Sequence, residues 1–234
     1  MAKDLDLADI QGNILQAYGR QGFPAARAIL LHVNKNRQQE ARALLDQLRH
    51  DVTTAELWPS SRTKNISSPY RITAQKPDVA LNIALTFNGL IALGVPVRTL
   101  RGMPDEFQEG MIKRSTLLRD CFDDNKTIKD IWDPIWTNEL ESGGEDKQVH
   151  VLILLNANCE QSEYDSPQAA LDAKTKYLAS LCGEDKGMRI LSGHRVEPGE
   201  NDAYQDMAVL NPPHKEHFGF TDGIGDPVFE GQYP

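Results

Sequence analysis

The stretch Val149-His150-Val151-Leu152-Ile153-Leu154-Leu155 is apolar at every position but one. A run this short and this apolar reads as a central strand covered on both faces. Downstream, Ser166-Pro167 places a side-chain cap ahead of a proline at the first helical position. The helix it opens carries Leu171, Leu178, Leu181 and Cys182 inward and closes at Gly183. Met188 to Val196 (MRILSGHRV) then reads as a further strand. The second part of the chain is therefore strand–helix–strand.

The same order appears upstream. Ala26 to Val33 (ARAILLHV) is a short apolar run suited to a buried strand, and Asn34 and Asn36 follow it as candidate helix N-caps. Ala41, Leu44, Leu45, Leu48 and Val52 recur at helical spacing. Val79, Leu81, Ile83, Leu85 and Phe87 alternate with Ala80, Asn82, Ala84 and Thr86, the period-two pattern of a strand with one face on the core. The two units together give a ferredoxin-like βαββαβ order, an α+β class with helices on one face of an antiparallel sheet. The segment between the second and third strands is too long for a bare loop and predicts a helical insertion. Its helices are expected at Gly89 to Leu93 closed by Gly94, at Pro104 to Leu118, and around Trp132 and Trp136. The ferredoxin-like unit is expected over residues 1–200, with a linker at Glu197 to Asp202 separating the sheet from a terminal loop expected over 201–234.

Lys and Arg number 25 against 34 Asp and Glu, for a net charge of −9. An acidic chain without a basic run is a poor partner for nucleic acid or an anionic membrane. Cys121, Cys159 and Cys182 are far apart and form no Cys-x-x-Cys pair, so a thiolate metal site is not expected. Acidic residues stand near the N-terminus where a secretory signal needs a basic segment, and no apolar run reaches membrane-spanning length. These features predict a cytoplasmic protein with reduced thiols.

The residues with the most chemical promise are His217-Phe218-Gly219-Phe220-Thr221-Asp222-Gly223-Ile224-Gly225-Asp226-Pro227. Asp-Gly alone is a favoured tight-turn pair. Here Phe218, Phe220 and Ile224 flank it, which predicts a loop packed on apolar surface. Gly219, Gly223 and Gly225 remove side chains that would keep a flat ligand from the backbone. A carboxylate so placed loses hydration, its pKa rises, and it can accept and return a proton.

Gly219-Phe220-Thr221-Asp222-Gly223, followed by Ile224 and Pro227, resembles the distal loop of the dye-decolorizing (DyP-type) haem peroxidases. Asp9-Ile10-Gln11-Gly12-Asn13-Ile14-Leu15 is similar to that family's opening motif. Phe107-x-x-Gly110-Met111-x-x-Arg114, with Asp120 after it, and Asn88-Gly89-Leu90 through Leu93-Gly94 match further segments in the family's order. The resemblance implies the first of two ferredoxin-like halves of a dimeric α+β barrel-type peroxidase, with haem b held between the halves. It implies that Asp222 carries the proton of hydrogen peroxide, that Gly219, Phe220, Gly223 and Ile224 line the haem, and that aromatic or dye-like molecules donate electrons.

The family's proximal histidine and distal arginine lie beyond the matched loop. None of His32, His50, His150, His194, His214 and His217 stands in the proximal position. The expectation is an N-terminal half that needs a complementing C-terminal half, or self-associates through an exposed sheet face. The alternative is a non-catalytic ferredoxin-like module that binds a small molecule or a subunit. Among other candidates, His214 and His217 lack a third ligand, and Asp222, Asp226 and Glu230 do not have EF-hand spacing. No metal site is expected from side chains alone. His150 reads as a satisfied core histidine, and Trp132 with Trp136, at i and i+4, as one helical face on the core.

Overall fold

A computed structural model describes residues 5–15, 23–56, 58, 76–120, 126–158, 163–208, 220 and 229–231. The chain enters through a 3₁₀ turn at Leu7–Asp9 and a short helix α1 (Gly12–Leu15), then forms β1 (Ala25–Val33) and α2 (Gln38–Arg49). β2 (Val79–Leu85) leads into five insertion helices: α3 (Phe87–Ala92), α4 (Val97–Leu100), α5 (Asp105–Leu118), α6 (Ile128–Ile131) and α7 (Pro134–Thr137). After 3₁₀ turns at Asn138–Leu140 and Gly144–Lys147, β3 (Val151–Ala157), α8 (Pro167–Leu181), β4 (Met188–Ile190) and β5 (Gln205–Ala208) complete the described elements.

The sheet runs β2-β3-β1-β4, with every pairing antiparallel. This is the ferredoxin-like order that the βαββαβ reading requires. β1 is long enough to take two partners on one edge. Leu31–Val33 pair with β4, and Ala25–Ala28 pair with β5, with Arg27 opposite Asp206. On its other edge β1 pairs with β3 along most of its length, Ile29 opposite Ile153.

The main core lies between the sheet and the pair α2 and α8. Ile29, Leu31, Leu81, Val151, Ile153 and Leu155 meet Ala41, Leu44 and Leu48 of α2 and Leu171 and Leu178 of α8. Each such fully buried aliphatic side chain contributes on the order of 2 kcal/mol of transfer free energy. Ser166 caps α8 as its spacing predicts, its side chain accepting from Ala169 N at 3.1 Å, with Pro167 at the first position.

Several expectations are corrected. β3 is not covered on both faces: Val151, Ile153, Leu155 and Ala157 are fully buried, while Leu152, Leu154 and Asn156 are half-buried. α2 and α8 sit on one face, and on the other the described residues form two smaller clusters, Leu30, Ile135, Val149 and Leu191 with Leu152 against them, and Phe23 and Trp58 with Ala80. Neither Asn34 nor Asn36 caps α2, which starts after Arg37 without a side-chain cap. Asn34 instead donates to the carbonyls of Gly183 and Lys186 at 2.8 and 2.7 Å, tying the end of β1 to the turn before β4, and Asn36 turns the chain at φ 61°.

Val52 lies past the end of α2 and bridges to Leu81. Phe87 opens α3 rather than extending β2, because Thr86 Oγ1 accepts from Gly89 N at 2.9 Å and caps the helix. α8 stops at Leu181, with Cys182 already extended, so Gly183 is not a left-handed cap. The strand expected over Met188 to Val196 is confined to Met188–Ile190. Beyond it Gly193 turns at φ 113°, and Asp133 takes hold of His194 and Arg195. β5 is short, polar and exposed, and carries no period-two signal in the sequence.

No helix among the described residues is long and apolar enough to cross a membrane.

Candidate functional site

Gly219, Asp222, Gly223 and Ile224 lie outside the described residues, as do His214 and His217. Of the expected site residues only Phe220 is described, and it is 72% exposed. The apolar packing expected for that ring is not supplied by the described residues.

What the structure does define is the frame from which the loop departs and to which it returns. The departure point is β5, held on β1 by Arg27. This arginine is 1% exposed, and its guanidinium donates to both carboxylate oxygens of Asp206, at 2.6 and 2.9 Å. Its remaining nitrogen donates to Asp172 Oδ1 at 2.9 Å and Thr175 Oγ1 at 3.0 Å on α8, and the Tyr204 ring stacks 3.7 Å from its central carbon. Burial opposes the charge, but hydrogen bonds to Asp206 and Asp172 outweigh it and hold the guanidinium pKa above its ordinary value. On the return, Gly231 O accepts from Leu5 N at 3.0 Å. The segment bearing Asp222 is thus moored at one end to β1 and at the other to the start of the described chain.

Of the described histidines, His50 is exposed at the end of α2, and the other three are engaged within the fold. His32 and His150 stack at 4.3 Å between ring centroids, both buried. His32 Nδ1 donates to Gln148 O at 2.8 Å, and His150 Nδ1 accepts from Val33 N at 2.9 Å, the satisfied core role expected for His150. Burial pushes the His150 pKa down to about 4, with His32 and Arg189 adding repulsion. His194 is buried against Asp133 at 2.9 Å. No group of three or more His, Cys, Asp or Glu among the described residues can hold a metal.

The helical insertion forms a half-open cavity of about 500 Å³. Phe87 and Phe107, which meet edge-to-face at 6.1 Å, line it together with Trp132, Trp136, Glu139 and Val149. α5 bends around this space because Gly110 leaves helical geometry at φ 70°, ψ 175°. Trp132 and Trp136 are not one helical face on the core, as their spacing predicted. Trp132 ends α6 in an extended conformation, Asp133 precedes a proline, and Pro134 begins a new helix. Trp136 is accordingly 37% exposed at the cavity. Nothing in the local sequence pattern distinguishes Glu139 from a surface acid.

A haem needs an axial ligand, and no histidine lines this cavity. The described residues do not by themselves fit haem.

No protein-family model matches the sequence, and no curated protein matches it. Solved structures do. A fungal DyP-type peroxidase from Auricularia auricula-judae superposes with a TM-score of 0.59 at 20% identity, over 97% of this chain and 39% of its own. The fold is that of the DyP-type peroxidases. A dye-decolorizing peroxidase engineered in its heme pocket for asymmetric sulfoxidation gives 0.57 at 19% identity, covering 96% of this chain and 38% of its own. A mutant dye-decolorizing peroxidase from Pleurotus ostreatus gives 0.53 at 19% identity, covering 97% and 41%. The chain spans about two fifths of the length of these DyP structures, consistent with their N-terminal half.

Proposed function

We propose that this chain forms the N-terminal half of a DyP-type haem peroxidase and supplies its distal proton carrier, Asp222. The observation that carries the reading is the likeness to DyP-type structures over 97% of the chain, in a sequence that also holds Gly219-Phe220-Thr221-Asp222-Gly223. A relative of the same fold is described as having a heme pocket.

Asp222, as carboxylate, accepts the proton of hydrogen peroxide on one oxygen and delivers it to the other peroxide oxygen. Gly219 and Gly223 leave room for a flat group to approach the backbone, with Phe220 and Ile224 against it. The ligand to iron, and the site for an aromatic or dye-like electron donor, belong to a second ferredoxin-like half.

The test is haem titration of the purified chain, followed by the Soret band and peroxide turnover. Weak, non-stoichiometric binding with negligible turnover is expected for the chain alone. A protein extended by the reading frame beyond codon 234 should bind haem stoichiometrically and lose turnover in Asp222→Asn. Robust turnover by the 234-residue chain alone would overturn the half-site reading. Stoichiometric haem with unchanged turnover in Asp222→Asn would overturn the role of Asp222.

A further inference from the structure

The cavity in the helical insertion has a chemistry of its own. Its walls are aromatic: Phe87 and Phe107 from α3 and α5, Trp132 and Trp136 from either side of Pro134. Three charged residues line it, and they are not equivalent. Glu109 is ion-paired to Arg114 at 2.8 Å, so its charge is already met. Lys113 is exposed, with its ammonium free to stay in water. Glu139 is half-buried and has neither a hydrogen bond nor an ion pair to any described side chain or backbone group. Glu139 is thus a partly desolvated carboxylate beside apolar rings that solvent alone meets, open to a donor brought by a ligand.

We infer that this cavity binds a small organic cation, a protonated amine or quaternary ammonium with an apolar body, whose charge lies at Glu139 and whose body lies against Phe107, Trp132 and Trp136. Aromatic faces attract cations through their quadrupole, and that attraction grows where water is excluded. The volume of about 500 Å³ accommodates a ring-bearing amine. Anionic ligands are disfavoured, since their charge would meet Glu139 across a low-dielectric space. Neutral ligands would fill the walls and leave the carboxylate without a partner. Burial raises the Glu139 pKa while Lys113 lowers it, as expected for a desolvated acid whose nearest cation is not in contact.

The probe is benzyltrimethylammonium, with neopentylbenzene as its neutral isostere, titrated into the 234-residue chain by calorimetry. Indole N–H resonances locate the site. We expect saturable one-to-one binding of the cation, about tenfold tighter than the isostere. The Trp132 and Trp136 signals should shift and Trp58 should not. Glu139→Gln should weaken the cation by about tenfold and leave the isostere unchanged, which a general loss of folding would not do. Phe107→Ala, at a ring already 39% exposed, should weaken both ligands. Equal affinity for cation and isostere, an unaltered cation affinity in Glu139→Gln, or no saturable binding would each overturn the inference.

Discussion

Arg27 and Asp206 face each other across the β1–β5 pair, joined by two parallel hydrogen bonds of 2.6 and 2.9 Å. The arginine is buried and the aspartate side chain is 42% exposed, so the contact is half inside and half outside the protein. It fastens an otherwise unremarkable four-residue edge strand onto the central strand of the sheet. Asp206→Asn should therefore destabilise the chain by about 1–3 kcal/mol, at the lower end because solvent screens the exposed partner and Asp172 still meets the guanidinium. The loss should be local first. Amide exchange at 205–208 should accelerate far more than at β3, and urea unfolding gives the global term. Equal acceleration across the sheet would show that β5 is not held by this pair.

His150 makes stability depend on pH in a definite sense. Its pKa is pushed down to about 4 in the folded chain, first by burial and then by His32 and Arg189, against about 6.5 when unfolded. His32 is also lowered, chiefly by burial, with Arg189 adding to the effect and the Gln148 carbonyl, Asp146 and Glu184 opposing it. The unfolded chain binds more protons between these values, so the contribution is complete above pH 6.5 and is lost as pH falls toward 4. Between pH 7.5 and 5 the chain should lose roughly 2 kcal/mol for His150 alone. Urea midpoints across that range measure it. His150→Leu lowers the baseline by removing the acceptor for Val33 N, but it should flatten the slope.

Two glycines of the insertion should respond differently to alanine. At Gly110 a Cβ meets nothing within 4 Å, but φ is 70°, so the cost is backbone strain of about 1–3 kcal/mol. At Gly89 a Cβ would stand 2.1 Å from His150 O, which requires α3 to move off the sheet. Gly89→Ala should cost more, and it should break the Thr86 bond to Val149 O at 2.8 Å. Thermal unfolding of the two variants ranks them. A milder Gly89→Ala would mean that the close approach is not maintained in solution.

How far the sequence could be read depended on where the signal was carried. Period two in Val79–Leu85 and the apolar run at Val151–Leu155 reflect burial and gave the sheet order. The Ser166-Pro167 cap is a local backbone requirement and was equally legible. Asn34 misled because its side chain satisfies carbonyls from a turn far along the chain, which short-range capping rules do not contain. β5 was invisible because its stability resides in Arg27, many residues upstream. At the site, the i, i+4 spacing of Trp132 and Trp136 suggests one helix, but Pro134 between them begins a new one. Glu139 left no trace, because an acid becomes notable only when its surroundings are known.

The opening motif has a physical reason that tests the fold directly. Gln11 completes the free edge of β2 with its side chain: Oε1 accepts from Ile83 N and Nε2 donates to Ile83 O, both at 2.8 Å. A side-chain amide thus imitates a neighbouring strand, while Gly12 N donates to Thr53 O at 2.9 Å and secures the backbone beside it. Gln11→Leu removes both bonds and should cost about 2 kcal/mol. Gln11→Glu is the sharper variant. Its ionised carboxylate still accepts from Ile83 N but confronts Ile83 O with a second acceptor, so at neutral pH it should be at least as damaging. Protonation restores a donor on that oxygen, so Gln11→Glu should recover stability relative to Gln11→Leu as pH falls toward 4. Urea unfolding of both variants at pH 7 and pH 4.5 decides it, with the Leu variant cancelling the histidine contribution common to both. Parallel losses at the two pH values would mean that Ile83 O does not rely on a donor from residue 11.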